Sequence, residues 1–178
     1  MFRYRQFTVP ALLLIAEMFC PRASPFAQTA QPKTVVDYYL LLPDKYTGEV
    51  SKERRRQLVR DDSGRIVAKD IENGYLYISG DAGESGMVMA LFKRPDGSYL
   101  IGVNPYNEIA DDLYFLSYDK GKWRDVTRAV VPGYSRKLMY TLPQHGTTIE
   151  VNSWPIDQPS KKLYELVWAH GKFTIRRR

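Results

Sequence analysis

Cysteine is almost missing: Cys20 is the single one in 178 residues. One thiol builds no disulfide framework, no thiolate zinc site and no iron–sulfur cluster. Histidine is nearly as scarce, with His145 and His170 only, so no site needing three imidazoles is available. No Asn-X-Ser/Thr triplet occurs, because Asn73, Asn104, Asn107 and Asn152 all lack the third-position hydroxyl. The 11 Pro and 12 Gly fall in ones and twos, so no linker of useful length divides the chain. Long apolar runs are missing too. The longest, Phe7–Ala16, is about half of what a membrane-spanning helix needs. Hydrophobic residues at 44% and charged residues at 26% are nevertheless globular proportions, which excludes a disordered or collagen-like chain.

What is present begins with an address. Arg3 and Arg5 precede that short apolar run, Glu17 closes it, and Ala27 suits the last residue of a cleaved leader. Residues 1–27 therefore read as a signal peptide and residues 28–178 as one mature domain, exported to the periplasm or secreted, with no transmembrane anchor. Cys20 leaves with the leader. Lipidation there would favour small residues just before it, and the chain has Glu17, Met18 and Phe19.

Two short helices open the mature chain. Thr34 and Asp37 have the spacing of a capping box, and Pro43 ends the helix that follows near Leu42. Ser51 caps a second helix running to about Arg60. From Gly64 onward the pattern changes to short runs rich in Tyr, Val, Ile, Leu and Trp, separated by Gly, Asn and Asp turns every 8 to 12 residues or so. The predicted strands are Tyr75–Ser79, Met87–Lys93, Tyr99–Val103, Leu113–Tyr118, Trp123–Thr127, Thr147–Val151, Lys162–Trp168 and Phe173–Arg176. Ile66–Ala68 pairs with the first through an Asn73-Gly74 turn. Met87–Phe92 is apolar without alternation, which places it centrally, covered on both faces. The fold class is α+β, mostly antiparallel: short helices packed on a curved meander, either an incomplete barrel or a small sandwich.

An internal echo supports this. Leu113–Trp123 aligns with Leu163–Phe173, fifty residues later, as two hairpins of one design within one sheet. Lys120-Gly121 and His170-Gly171 form their turns, and Tyr118 faces Trp123 as Trp168 faces Phe173. Gly121-Lys122-Trp123 resembles the G-x-W signature of lipocalins, barrels that carry small apolar molecules. The same Gly-x-aromatic pattern recurs at Gly97 and Gly171, however, which points to turn chemistry. Gly83–Gly86 resembles the nucleophile segment of trypsin-like proteases. There the base and orienting acid precede the serine, whereas both His follow Ser85 here.

The catalytic pool is thin. His145, Asp111, Asp112 and Glu84 are the candidates for acid–base work, with Asp81 and Glu108 as further loop carboxylates, and no spacing selects a pair. No metal site and no cofactor are expected.

Charge says more. The whole chain carries 26 Lys+Arg against 20 Asp+Glu. Without Arg3, Arg5, Arg22 and Glu17 the mature balance is +4. Ser51–Arg60 alone supplies +4 and Arg176–Arg178 a further +3, leaving the remainder negative. Such clusters attract acidic partners. The candidate binding residues are Lys52, Arg54, Arg55 and Arg56 on the basic helix and Tyr118, Trp123 and Trp168 on the aromatic strands. The expected partner is an envelope protein or an acidic glycan, with peripheral contact to anionic lipid. Nucleic acid is not expected of an exported protein lacking a recognition motif. The sequence thus favours a non-enzymatic binding or accessory module. A carboxylate-based hydrolase or lyase is the first alternative, and a carrier of a small apolar ligand the second.

Overall fold

A computed structural model describes residues 31–48, 50–80, 85–106, 112–153 and 160–177. Helix α1 (Val35–Leu41) starts at the predicted capping box. The Thr34 hydroxyl accepts from the Asp37 N–H, and the Asp37 carboxylate accepts from the Thr34 N–H at 2.9 Å. Burial pushes the Asp37 carboxyl up, but hydrogen bonds from the Lys33 and Thr34 N–H groups outweigh it and hold the group below its usual range. A single 3-10 turn (Asp44–Tyr46) leads to α2 (Lys52–Leu58), capped by Ser51.

The strands then follow in two up-and-down meanders. β1 (Ile66–Asp70), β2 (Tyr75–Ile78), β3 (Gly86–Lys93), β4 (Tyr99–Tyr106), β5 (Tyr114–Asp119) and β6 (Lys122–Asp125) form one antiparallel sheet in chain order. After a one-turn helix α3 (Thr127–Val130), β7 (Leu138–Thr141), β8 (Thr148–Ser153), β9 (Lys162–Ala169) and β10 (Lys172–Arg176) form a second, again neighbour to neighbour. The sheets do not close into a barrel. They stack, which decides the architecture in favour of the sandwich.

Three layers result, with the six-stranded sheet in the middle. On β3, Met87 and Met89 point to the helix layer and pack with Val35, Tyr39 and Leu58. Ala90 and Phe92 point the other way, toward Ile149, Leu166 and Phe173 of the second sheet. The unbroken apolar run 87–92 reflects this double coverage. Between the sheets Phe92, Phe115, Trp168 and Phe173 interlock with ring centroids 4.9 to 5.8 Å apart.

Both echoed hairpins form as predicted. Lys120 and Gly121 have φ of 46° and 82°, and His170 and Gly171 have 51° and 81°, the left-handed pair that suits a two-residue turn to the twist of its strands. Tyr118 is paired with Trp123, Asp119 with Lys122, and Trp168 with Phe173.

Other expectations need correction. The hairpins lie in different sheets, β6 and β10 each forming an edge, because the chain crosses layers through α3 between them. Asn73-Gly74 is not a two-residue turn. Asp70 pairs with Tyr75, so four residues close the loop, with Gly74 left-handed and the Asp70 carboxylate accepting from Asn73 N and Nδ2. Trp123–Thr127 stops as a strand at Asp125. The elements α3 and β7 were not foreseen.

Candidate functional site

Where β6 ends, the chain turns on a local device. Asp125 Oδ1 accepts from the Thr127 N–H at 2.9 Å and from the Thr127 hydroxyl at 2.6 Å. The same hydroxyl oxygen accepts from the Phe115 N–H at 2.8 Å, and Val126 N–H donates to Phe115 O. Thr127, only 4% exposed, thereby fastens α3 to β5. The chain beyond is equally fixed. Tyr134 stacks on Tyr140 at 5.8 Å and donates its hydroxyl to Leu113 O. Tyr140 in turn accepts from Ser135 N–H at 3.0 Å.

Between these fastened segments lies an open cleft of about 560 Å³. Arg124, Arg128 and Arg136 line it with Tyr114, Tyr134 and Asp125, over a small apolar floor of Leu113, Val126 and Ala129. The three arginines are exposed, and the two tyrosines are half-buried. Among the described residues no ion pair engages Arg124 or Arg128. Arg136 is hydrogen-bonded to Tyr134, which raises its pKa, with Asp112 acting in the same direction. Burial raises both tyrosine hydroxyls.

The two carboxylates nearby are already committed to the framework. Asp125 holds Thr127, and Asp112 Oδ2 accepts from the Tyr114 hydroxyl at 3.3 Å. Three guanidiniums against one lining carboxylate make an anion-attracting cleft. Planar guanidinium donors match carboxylate, sulfate and phosphate oxygens in pairs.

The residues singled out from sequence are placed elsewhere. His145 is exposed on the turn before β8, its Nδ1 3.9 Å from Asp70 Oδ2. The carboxylate beside it is therefore one fixed by Asn73 and not Asp112. Hydrogen bonds from Asn73 hold that carboxyl below its usual range. Asp112 is outside the lining but beside it, bonded by Tyr114 and attracting Arg136, while Asp111 and Glu84, with Asp81 and Glu108, lie outside the described residues. Among the described residues no group of three or more His, Cys, Asp or Glu is arranged to hold a metal ion.

Of the basic helix, Lys52 and Arg56 are exposed, with Arg56 tied to Glu53 at 2.8 Å, and Arg54 is half-buried beside Gln57. Arg55 is a different case. It is 1% exposed and gives Leu42 O, Val50 O, Thr47 Oγ1 and Asp44 Oδ1 hydrogen bonds of 2.8 to 3.1 Å. It braces α2 to the end of α1 and has no surface to offer.

The aromatics also turn inward. Tyr118 and Trp123 pack on Tyr38 of α1 at about 6 Å, and Trp123 Nε1 donates to Leu41 O. Trp168 is 7% exposed and donates to Lys93 O. These rings staple the layers together.

Sequence reasoning missed Arg124, Arg128 and Arg136. A charge count by segment hid them, since they fell in a stretch whose total is negative. The one available signal was local, three arginines within thirteen positions around a strand end.

No family model matches the chain, and no curated protein matches it. Among solved structures it is similar to a domain of an uncharacterized protein from Porphyromonas gingivalis W83. The identity is 14% and the TM-score 0.54, over 81% of this chain and 98% of that one. At that identity the likeness speaks to the fold alone.

Proposed function

We propose that the protein is an exported binding module of the cell envelope, which recognises an acidic glycan or protein without turning it over. The observation that carries this reading is the cleft of Arg124, Arg128 and Arg136, two of which are held in no ion pair among the described residues. A guanidinium left without a carboxylate is available to an anion, and the fastened framework beneath it confines the ordering cost to the side chain itself.

Three further facts support binding over the alternatives. The cleft's carboxylates are hydrogen-bonded into the framework, so neither is poised as a base. The exposed His145 sits beside Asp70, outside the cleft lining. Among the described residues the space between the sheets is filled by interlocking rings, which speaks against the lipocalin-like carrier reading. For export, support comes from the three-part pattern of residues 1–27. Among the described residues no helix is long and apolar enough to cross a membrane.

Two measurements test this. Intact-mass analysis of the periplasmic fraction should find a chain lacking its first 27 residues or so. Capture from envelope extract should decline as salt rises, and should vanish for the Arg124→Gln/Arg128→Gln/Arg136→Gln protein. Capture that ignores both salt and the substitutions refutes the reading.

A further inference from the structure

Resting on that reading, we infer that the ligand of the Arg124–Arg128–Arg136 cleft is an anionic oligosaccharide, bound by paired guanidinium–oxyanion contacts with the sugar rings against Tyr114 and Tyr134. Three observations separate a glycan from an acidic protein.

The first is shape. The site is a concavity of about 560 Å³, inside the range of roughly 300–1,000 Å³ typical of small-ligand sites. A folded partner instead needs about 800 Å² of surface on each side.

The second is the missing anchor. Protein interfaces concentrate their energy in a few Trp, Tyr and Arg anchors seated in well-packed, fully desolvated pockets. Among the described residues the exposed large apolar side chains are Leu41, Val67, Ile71, Leu163 and Ile175, and none of them lines the cleft. Its apolar floor is Leu113, Val126 and Ala129, of which Leu113 is 2% exposed. The cleft does hold Tyr and Arg, but its arginines are exposed and it is open, so it lacks the desolvated packing that a protein anchor needs.

The third is the donor set. Arginine offers forked N–H pairs for an oxyanion, and tyrosine offers a ring for the C–H face of a pyranose with a hydroxyl at its rim. Tyr134 is fixed by its stack on Tyr140 and by its hydrogen bond to Leu113 O, so its ring is a firm wall. Carboxylate and sulfate groups on a sugar share this chemistry, and the probes below separate them.

The experiment is isothermal titration of the protein with four probes: a tetragalacturonate, a sulfated heparin tetrasaccharide, the neutral cellotetraose, and a glutamate-rich peptide of equal charge. Variants Arg124→Gln, Arg128→Gln and the Arg124→Gln/Arg128→Gln pair are titrated alongside. All are surface changes, and unaltered melting confirms that each folds.

The expected result is binding of at least one anionic tetrasaccharide and no binding of cellotetraose. Affinity should fall roughly tenfold or more for each guanidinium removed, since a charged hydrogen bond contributes about 1.5 kcal/mol or more. Whether uronate or sulfate binds tighter identifies the anion. If the peptide binds through the same arginines and the sugars do not, the glycan assignment is overturned while the binding module stands. If no probe binds, or binding survives the double substitution, the cleft is not the site and both fail.

Discussion

Removing the Arg55 guanidinium is the sharpest test of how the helical layer is held. In Arg55→Leu the aliphatic stem is largely kept, so the loss comes from its polar contacts. Four acceptors lose a donor, but they do not count equally. Asp44 is 66% exposed in its side chain, and water replaces the arginine there at a cost of about 1 kcal/mol or less. Val50 O retains the Thr47 hydroxyl at 3.0 Å, a proton shared with Asp44 O at 2.8 Å, while Thr47 Oγ1 itself loses its donor. Leu42 O, bonded at 2.8 Å in a buried position, has no substitute donor among the described residues. An orphaned buried acceptor costs about 1–3 kcal/mol. Removing Nε, which is itself buried without a partner, returns a small part of that.

The net loss is about 2–4 kcal/mol, a large share of the stability of an ordinary domain. Urea unfolding followed by far-ultraviolet circular dichroism should show a lower midpoint with an unchanged slope. Asp44→Asn should lose under about 1 kcal/mol in the same assay. An Arg55→Leu protein within about 0.5 kcal/mol of wild type would refute the brace. It would also restore the reading of this side chain as part of a basic binding face.

Other outcomes follow from the same geometry. Gly121→Val and Gly171→Val should each lose at least about 1 kcal/mol, because φ near 80° is strained for a side chain even where space is open; wild-type melting in either would contradict the turn assignment. Phe115→Ala, which opens a hole at the centre of the interlocked rings, should lose about 3–5 kcal/mol in a chemical-denaturation series. Hydrogen bonds from Lys162 and Arg176 hold the Glu165 carboxyl at about 2, below its ordinary 4.5. The unfolded chain takes up that proton first, so the contribution is complete above pH 4.5 or so and drains away as pH falls toward 2. Glu165→Gln should flatten the acid limb of a stability–pH curve, and an unchanged limb would remove Glu165 from its cause.

Local rules were legible because their partners are near in sequence. The Thr34–Asp37 box, the Pro43 stop and the two left-handed hairpin turns each involve residues within a few positions of one another. The cross-strand pairs Tyr118–Trp123 and Trp168–Phe173 follow from the turns alone. By contrast α3 is only four residues long and is held by Thr127 against Phe115, twelve positions back, so no periodicity announces it. The basic helix misled for a related reason. A run of arginines reads as a charged face, but one of them in α2, Arg55, points inward with Leu58. Only the distant carbonyl of Leu42 determines that an arginine there is a structural donor.

By itself the sequence determined every described α-helix and strand but α3 and β7, the antiparallel pairing of neighbours, the central place of residues 87–92 and the scarcity of catalytic side chains. Those depend on spacing, turn chemistry and composition, all of which are written along the chain. The tertiary structure decided the stacking of two separate sheets, the burial of Arg55 and Trp168, and the meeting of Arg124, Arg128 and Arg136 around one cleft. Each of these depends on which surfaces face one another across layers, and that follows from packing the whole chain at once.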